Sequence, residues 1–294
     1  MRLTPHRLAP HEFTDTVEML ELGLTRLVIF FWFFLLVFAG CATLPRTIPV
    51  SPDEELVVRQ AFLRMIQGQE PCGCCLDVQV TVKVEALLQK GTIDGDLQLR
   101  QPSHLKFVGI NPFGQPLLFL ATDGSNFRYI SVTERKSFQG NVEAKLFRKY
   151  APPGFHPEQG FNWLTGRLAG EGLQVISVAL DEESLGYWLK IQAAGTPGYG
   201  RILFDMTARQ IVRHAVLNRN GGTEMEVFYD DYREPAFPSD THDCRLPGRI
   251  EVRSGKHGSG SLVIFFNDWR QASGFSLKSF ELPDPAGFEK VLVQ

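Results

Sequence analysis

Residues 76–85 read LDVQVTVKVE, in which Val78, Val80, Val82 and Val84 alternate with Gln79, Thr81, Lys83 and Glu85. A period of two puts the valines on one face of a strand and the polar residues on the other, as in a sheet with one dry and one wet side. Similar runs follow at 92–100, 104–110, 116–122 and 126–132, set apart by QKG, QPS, NPFGQP and TDGSN. The last of these has the chemistry of a short hairpin turn. Further runs lie at 172–180, 186–194, 200–206, 210–218, 223–230, 247–253 and 261–267, and in 185–192 Leu185, Tyr187, Leu189 and Ile191 share one face. Short strands so regularly spaced, without a 20–50-residue repeat, predict one mainly antiparallel sheet curled into a barrel or half-barrel.

Helices are expected only at 52–67 and near 157–168. Ser51 and Glu54 form a capping box, and Pro52 takes the first helical position, where its missing N–H costs nothing. Val58, Ala61, Phe62, Met65 and Ile66 then fall on one stripe, and Gly68 is the expected stop. This amphipathic helix needs an apolar surface to lie on.

Upstream, residues 27–40 form an uncharged apolar run behind Arg26, ended by Ala39 and Gly40 and followed by Cys41. A membrane-crossing helix needs about 20 apolar residues, and this run is shorter. A positive flank, a short apolar segment and small residues at its end make the pattern of a secretory signal peptide. The sequence FAGC resembles the lipobox of bacterial lipoproteins, which implies acylation of Cys41 and removal of residues 1–40. The acidic stretch before Arg26 makes Met19 an alternative start. Residues 41–51, with Pro45 and Pro49, read as a tether, and 52–294 as the folded domain.

The 294 residues are 44% hydrophobic and 21% charged with a net charge of −3, a globular composition with material for a sizeable core. There is no Lys/Arg run, so no footprint for nucleic acid. Phe is abundant, with 23 residues against 6 Tyr and 4 Trp, a bias toward rings that make no hydrogen-bond demands. Four cysteines remain beyond Cys41: Cys72, Cys74, Cys75 and Cys244. A mixed Cys/His metal site with His242 is one reading. In an oxidising envelope compartment disulfides are the stronger default, Cys244 pairing with one of the other three; the connectivity stays open.

Four landmarks occur in order: NPFGQPLLFL (111–120), FNWLTGRLAG (161–170), LPGRIEV (246–252) and LVIFFNDWR (262–270). Together they resemble the LolB-like outer-membrane lipoproteins of the LolA/LolB superfamily. The resemblance spans about residues 53–270. It leaves out the CGCC insert and residues 271–294, and Pro116 departs from the pattern. It implies an unclosed antiparallel barrel with an α-helical lid over an apolar cavity for acyl chains. The cavity and lid residues would be Val78, Val80, Val82 and Val84 with Phe62, Trp163 and Leu164. Phe113, Leu117 and Leu118 would form a projecting apolar loop that reaches the membrane, and Asp268 and Trp269 would be structural.

Nucleophile, phosphate-loop and metalloprotease patterns do not occur. The pair His242 and Cys244 has nothing to orient it, and the acidic clusters 181–183 and 230–231 are expected to be solvated. The expectation is a non-enzymatic, monomeric, lipid-anchored protein on the periplasmic face of the outer membrane, without metal or cofactor. The resemblance implies that it takes acylated lipoproteins, or another lipid, from a soluble LolA-like carrier and inserts them into the outer membrane. The alternative is an envelope lipid carrier or sensor on the same scaffold, with a different ligand or a protein partner.

Overall fold

The alternation at Val78, Val80, Val82 and Val84 becomes an interior strand of one large sheet. The computed structural model describes residues 45–294 except 70–71, 87–88, 152–154, 193–199, 219, 236–243, 255–260 and 273–274. The signal peptide, Met19, Cys41 and His242 lie outside the described residues.

The strands are β1 (Thr47–Pro49), β2 (Cys75–Ala86), β3 (Gln89–Arg100), β4 (His104–Ile110), β5 (Pro116–Thr122), β6 (Asn126–Ser131), β7 (Lys136–Asn141), β8 (Gln174–Asp181), β9 (Tyr187–Gln192), β10 (Gly200–Asp205), β11 (Gln210–Leu217), β12 (Thr223–Asp230), β13 (Arg249–Ser254), β14 (Ser261–Gln271) and β15 (Glu289–Val293). Their order is β1-β8-β9-β10-β11-β12-β13-β14-β2-β3-β4-β5-β6-β7-β15, so β1 and β15 are free edges and the sheet is not closed. Every pairing of these strands is antiparallel except β15 on β7. Among the described residues three α-helices accompany the sheet: α1 (Pro52–Gly68), α2 (Lys145–Tyr150) and α3 (Gly160–Leu164). None of the described helices is long and apolar enough to cross a membrane.

Helix α1 starts as its sequence predicts. The Ser51 hydroxyl accepts from the Glu54 N–H at 3.2 Å. The Glu54 carboxylate accepts from the Tyr187 hydroxyl at 2.9 Å, tying the first turn to β9. Arg59 donates to the Val175 carbonyl on β8 and pairs with Glu55. Val58, Phe62, Met65 and Ile66 are buried, and they pack in one core with Leu76, Val78, Val80, Leu97, Leu99, Leu189, Ile202, Phe204, Ile211 and Phe266. The helix therefore fills the concave side of the sheet from β8 through β3.

The opposite, convex face is covered where the wet side of β3 to β6 was expected to meet solvent. Residues 275–288 lie across it. Arg100 donates to the Phe275 carbonyl at 3.0 Å, Lys106 to Ser279 at 2.9 Å, and Arg128 to Leu282 at 2.5 Å. Leu282 completes a small second core with Ala121 and Ile130. The extension beyond the family-like landmarks is thus part of the fold, and it ends as β15.

Four elements escape the alternation rule. Strand β1 has three exposed residues and occupies part of the expected tether; as an edge strand it needs only one partner, and Pro49 is tolerated there. Strand β7 is KSFQGN, too polar to register a dry face, and β15 depends on β7 for its pairing. The six-residue α2 is too short for a helical stripe. Within the acidic cluster 181–183, Asp181 is buried rather than solvated, because it accepts the Trp188 indole N–H at 2.6 Å.

Candidate functional site

Directly paired residues of adjacent strands point to the same face. One such row runs Val78, Leu97, Phe107, Leu120, Tyr129, Phe138 from β2 to β7. At its β2 end the row is buried beneath α1. At its β5–β7 end it lines a hollow of about 600 Å³ on the concave face. Leu120, Phe127, Tyr129 and Phe138 form the floor. Leu146, Phe147 and Ala151, at and just after α2, form a roof, with Phe155 beside them and Glu134 as a charged group in an otherwise apolar lining. The rings of Phe127 and Phe147 lie 5.0 Å apart, and Tyr129 and Phe138 are neighbours at 5.9 Å.

Helix α3 belongs to the filled core through Phe161, Trp163 and Leu164 and borders this hollow. Trp163 meets Phe155 edge to face at 5.4 Å on one side and His214 at 5.8 Å on the other. The helix ends in a Schellman turn: the Arg167 N–H reaches the Asn162 carbonyl at 2.8 Å, and Gly166 takes φ +66°. A Cβ at Gly166 would also stand 2.4 Å from the Tyr232 hydroxyl, so only glycine fits.

The structure places the expected cavity residues elsewhere than the hollow. Val78, Val80 and Phe62 are buried in the filled core, Val82 is half-buried and Val84 is exposed at the strand's far end. The reason is α1, which seals that part of the sheet. Trp163 and Leu164 are buried on α3, Trp163 bordering the hollow through Phe155. The lining residues Phe127, Tyr129 and Phe138 were not singled out from the sequence. The phenylalanine surplus was the signal, and the alternation of Phe127 and Tyr129 along one strand could have located it.

The expected membrane loop is shorter than its motif. Asn111 accepts through its side-chain oxygen from the N–H groups of Phe113 and Gln115, each at 2.9 Å, and Gly114 takes φ +79°. This pinned turn holds Phe113 out with 88% of its surface exposed. Leu117 and Leu118 belong instead to β5 and are half-buried, because the strand begins at Pro116. The Trp269 indole donates to the Pro247 carbonyl at 3.0 Å and its ring stacks on Phe266 at 4.6 Å, which joins the last two landmarks into a structural latch.

Cys72 and Cys244 form a disulfide with a Cα separation of 5.5 Å. Cys74 is exposed and Cys75 buried, both free, and burial pushes the Cys75 thiol up to about 11. Among the described residues no cluster of side chains could hold a metal ion. His214 lies on the concave face within the core, and burial depresses its imidazole to about 4. The same burial raises the phenols of Tyr229 and Tyr232. A larger cavity, about 750 Å³, opens on the convex face beneath the C-terminal extension, but Asp123, Asn126, Arg128, Gln139, Asn141 and Glu281 line it alongside apolar groups. Of these two, the concave hollow is the one suited to an apolar ligand.

No family model matches the chain, and no curated protein sequence does. Solved structures do. A domain assigned to an outer membrane lipoprotein-sorting protein of Vibrio parahaemolyticus aligns with TM-score 0.53 at 10% identity, covering 78% of this chain and 97% of its own. A LolA superfamily protein of Nitrosomonas europaea aligns with TM-score 0.50 at 10% identity over 76% and 97%. The chain has a LolA-like fold. A DUF1329 family protein of Desulfovibrio piger shares it, with TM-score 0.52 at 8% identity over 76% and 97%. In this chain the sheet ends in β15 and is backed by residues 275–288.

Proposed function

We propose that this protein is a lipid-anchored envelope protein that binds an acyl chain in the concave hollow and delivers it to the outer membrane. The observation that carries the reading is the hollow itself: aromatic and aliphatic side chains on an open sheet, beneath a short helix that could lift away. At roughly 30 Å³ per methylene-sized group the hollow takes on the order of 20 such groups, one long chain rather than several. Burying about 16 methylenes at about 0.8 kcal/mol each favours binding by roughly 13 kcal/mol before ordering costs, enough to take a chain out of water.

The names of two structural neighbours, lipoprotein sorting and LolA, suggest acylated lipoproteins as the source of the chain, with a soluble LolA-like carrier as the donor. The exposed Phe113 supports delivery rather than storage, since an aromatic ring on a rigid turn can enter the bilayer interface without unfolding anything. The alternative, an envelope lipid carrier or sensor, is favoured by Leu117 and Leu118 being held in β5, which leaves Phe113 as the one large hydrophobic residue at the tip. Transfer of a fluorescent acylated peptide from the protein to liposomes separates the two. The inserter reading requires transfer that depends on Phe113; binding without such transfer supports the carrier or sensor.

A further inference from the structure

Arg167 follows the Schellman turn of α3 directly, and that turn sends its side chain inward. It is 3% exposed. Of its guanidinium nitrogens only Nη2 has an acceptor, the Cys72 carbonyl at 2.7 Å, a group fixed in place by the Cys72–Cys244 disulfide. Nε and Nη1 are buried without any hydrogen-bond partner. The charge lies 5.6 Å from the ring centre of Phe161, a weak cation–π contact. Among the described residues no carboxylate pairs with it. Burial lowers its pKa only to about 10, so the group stays charged at neutral pH.

A buried cation with unused donors is costly unless something supplies the opposite charge. The structure offers room for it. A cavity of about 320 Å³ is lined by Arg167 together with Gln69, Gln101 and Asn162 and the apolar Ile66 and Leu168. The Gln69 side-chain oxygen is likewise buried without a partner. A half-turn of that amide would present its NH2 group to the same space. A guanidinium that is already desolvated, an amide able to donate and an adjacent opening together form an oxyanion receptor.

We propose that the Arg167 cavity binds a single oxyanion, a carboxylate or phosphate, as the head-group site of the protein's amphiphilic ligand. The assignment to a head group rests on the acyl-chain reading above; the anion site itself does not. Both cavities border α3. Phe155 of the hollow packs on Trp163, while Asn162 lines the anion cavity. The ligand would then be an anionic amphiphile, and a neutral one of equal chain length would bind less well.

The test compares oleate with oleyl alcohol, measured by competition against the neutral fluorescent probe N-phenyl-1-naphthylamine, on the wild type and on Arg167→Met. A parallel arm titrates inorganic phosphate into lipid-free protein and follows amide NMR shifts. The wild type is expected to prefer oleate by about tenfold or more, and Arg167→Met to lose that preference while binding oleyl alcohol within about twofold of the wild type. Saturable phosphate binding that needs Arg167, without preference for oleate, would keep the anion site but assign it to a free anion. Equal binding of oleate and oleyl alcohol by the wild type, with no saturable phosphate binding, overturns the proposal and leaves the acyl-chain reading intact. Failure of both lipids to bind sinks the acyl-chain reading, and the phosphate arm still decides the anion site. Should Arg167→Met not fold, the wild-type preference for oleate and the wild-type phosphate titration still distinguish these outcomes.

Discussion

Phe62 of α1 and Phe204 of β10 meet edge to face, their ring centres 5.4 Å apart and both side chains fully buried. The contact clamps α1 onto the sheet, and it explains why the helix seals one part of the concave face and leaves the β5–β7 part hollow. A cover that moves must therefore be α2 and the chain that follows it, not α1. Phe62→Ala should cost about 3–5 kcal/mol of stability, because the large ring has no way to be replaced in a close-packed core. Urea denaturation measures it. A loss under about 1 kcal/mol would mean that α1 is loosely held and could itself act as the lid.

His214 gives the fold a dependence on pH. Its folded-state pKa of about 4 lies below the value of about 6.5 expected in the unfolded chain. Above pH 6.5 the imidazole is neutral in both states and contributes nothing to the pH dependence. Between pH 6.5 and 4 the unfolded chain binds the proton first, so stability falls as pH falls, by up to about 3 kcal/mol. His214→Leu should remove this component. Urea midpoints at about pH 7.5 and about pH 5 would show it as a smaller acid loss in the variant than in the wild type, and equal losses would contradict the burial argument.

Phe113 makes few contacts to lose. Phe113→Glu should leave the thermal midpoint unchanged, since exposed substitutions fall within about 0.5 kcal/mol. Co-sedimentation with anionic liposomes should drop in the variant if the turn enters the bilayer interface. Unaltered co-sedimentation would remove the support for delivery. Leu118→Glu is a different case, because the side chain is half-buried in β5 and its replacement should destabilise the protein.

The sheet was legible in the sequence because its strands are half-buried, and Val78, Val80 and Val82 write that condition as a period of two. The helix cap at Ser51 was legible for an equally local reason. Which part of the dry face is filled was not, since Val80 and Leu120 carry the same pattern and only the placement of α1 distinguishes them. The C-terminal cover was hidden for a similar reason: Arg100, Lys106 and Arg128 read as solvated cations, yet they hold carbonyl groups of a segment more than 150 residues away. Arg167 stood in a recognised landmark, but its burial follows from a turn and a disulfide, neither of which a spacing rule reports.

Equilibrium titration with cis-parinaric acid tests the hollow most directly, comparing the wild type with Leu120→Asp and Val80→Asp. A carboxylate at Val80 lies in the filled core and should destabilise the fold by several kcal/mol. At Leu120, which faces the open hollow, it should cost about 1 kcal/mol and leave the protein folded. The account predicts one bound chain per wild-type protein and binding at least about tenfold weaker in folded Leu120→Asp. Saturable binding of equal strength in that folded variant, or no binding by the wild type, would contradict it.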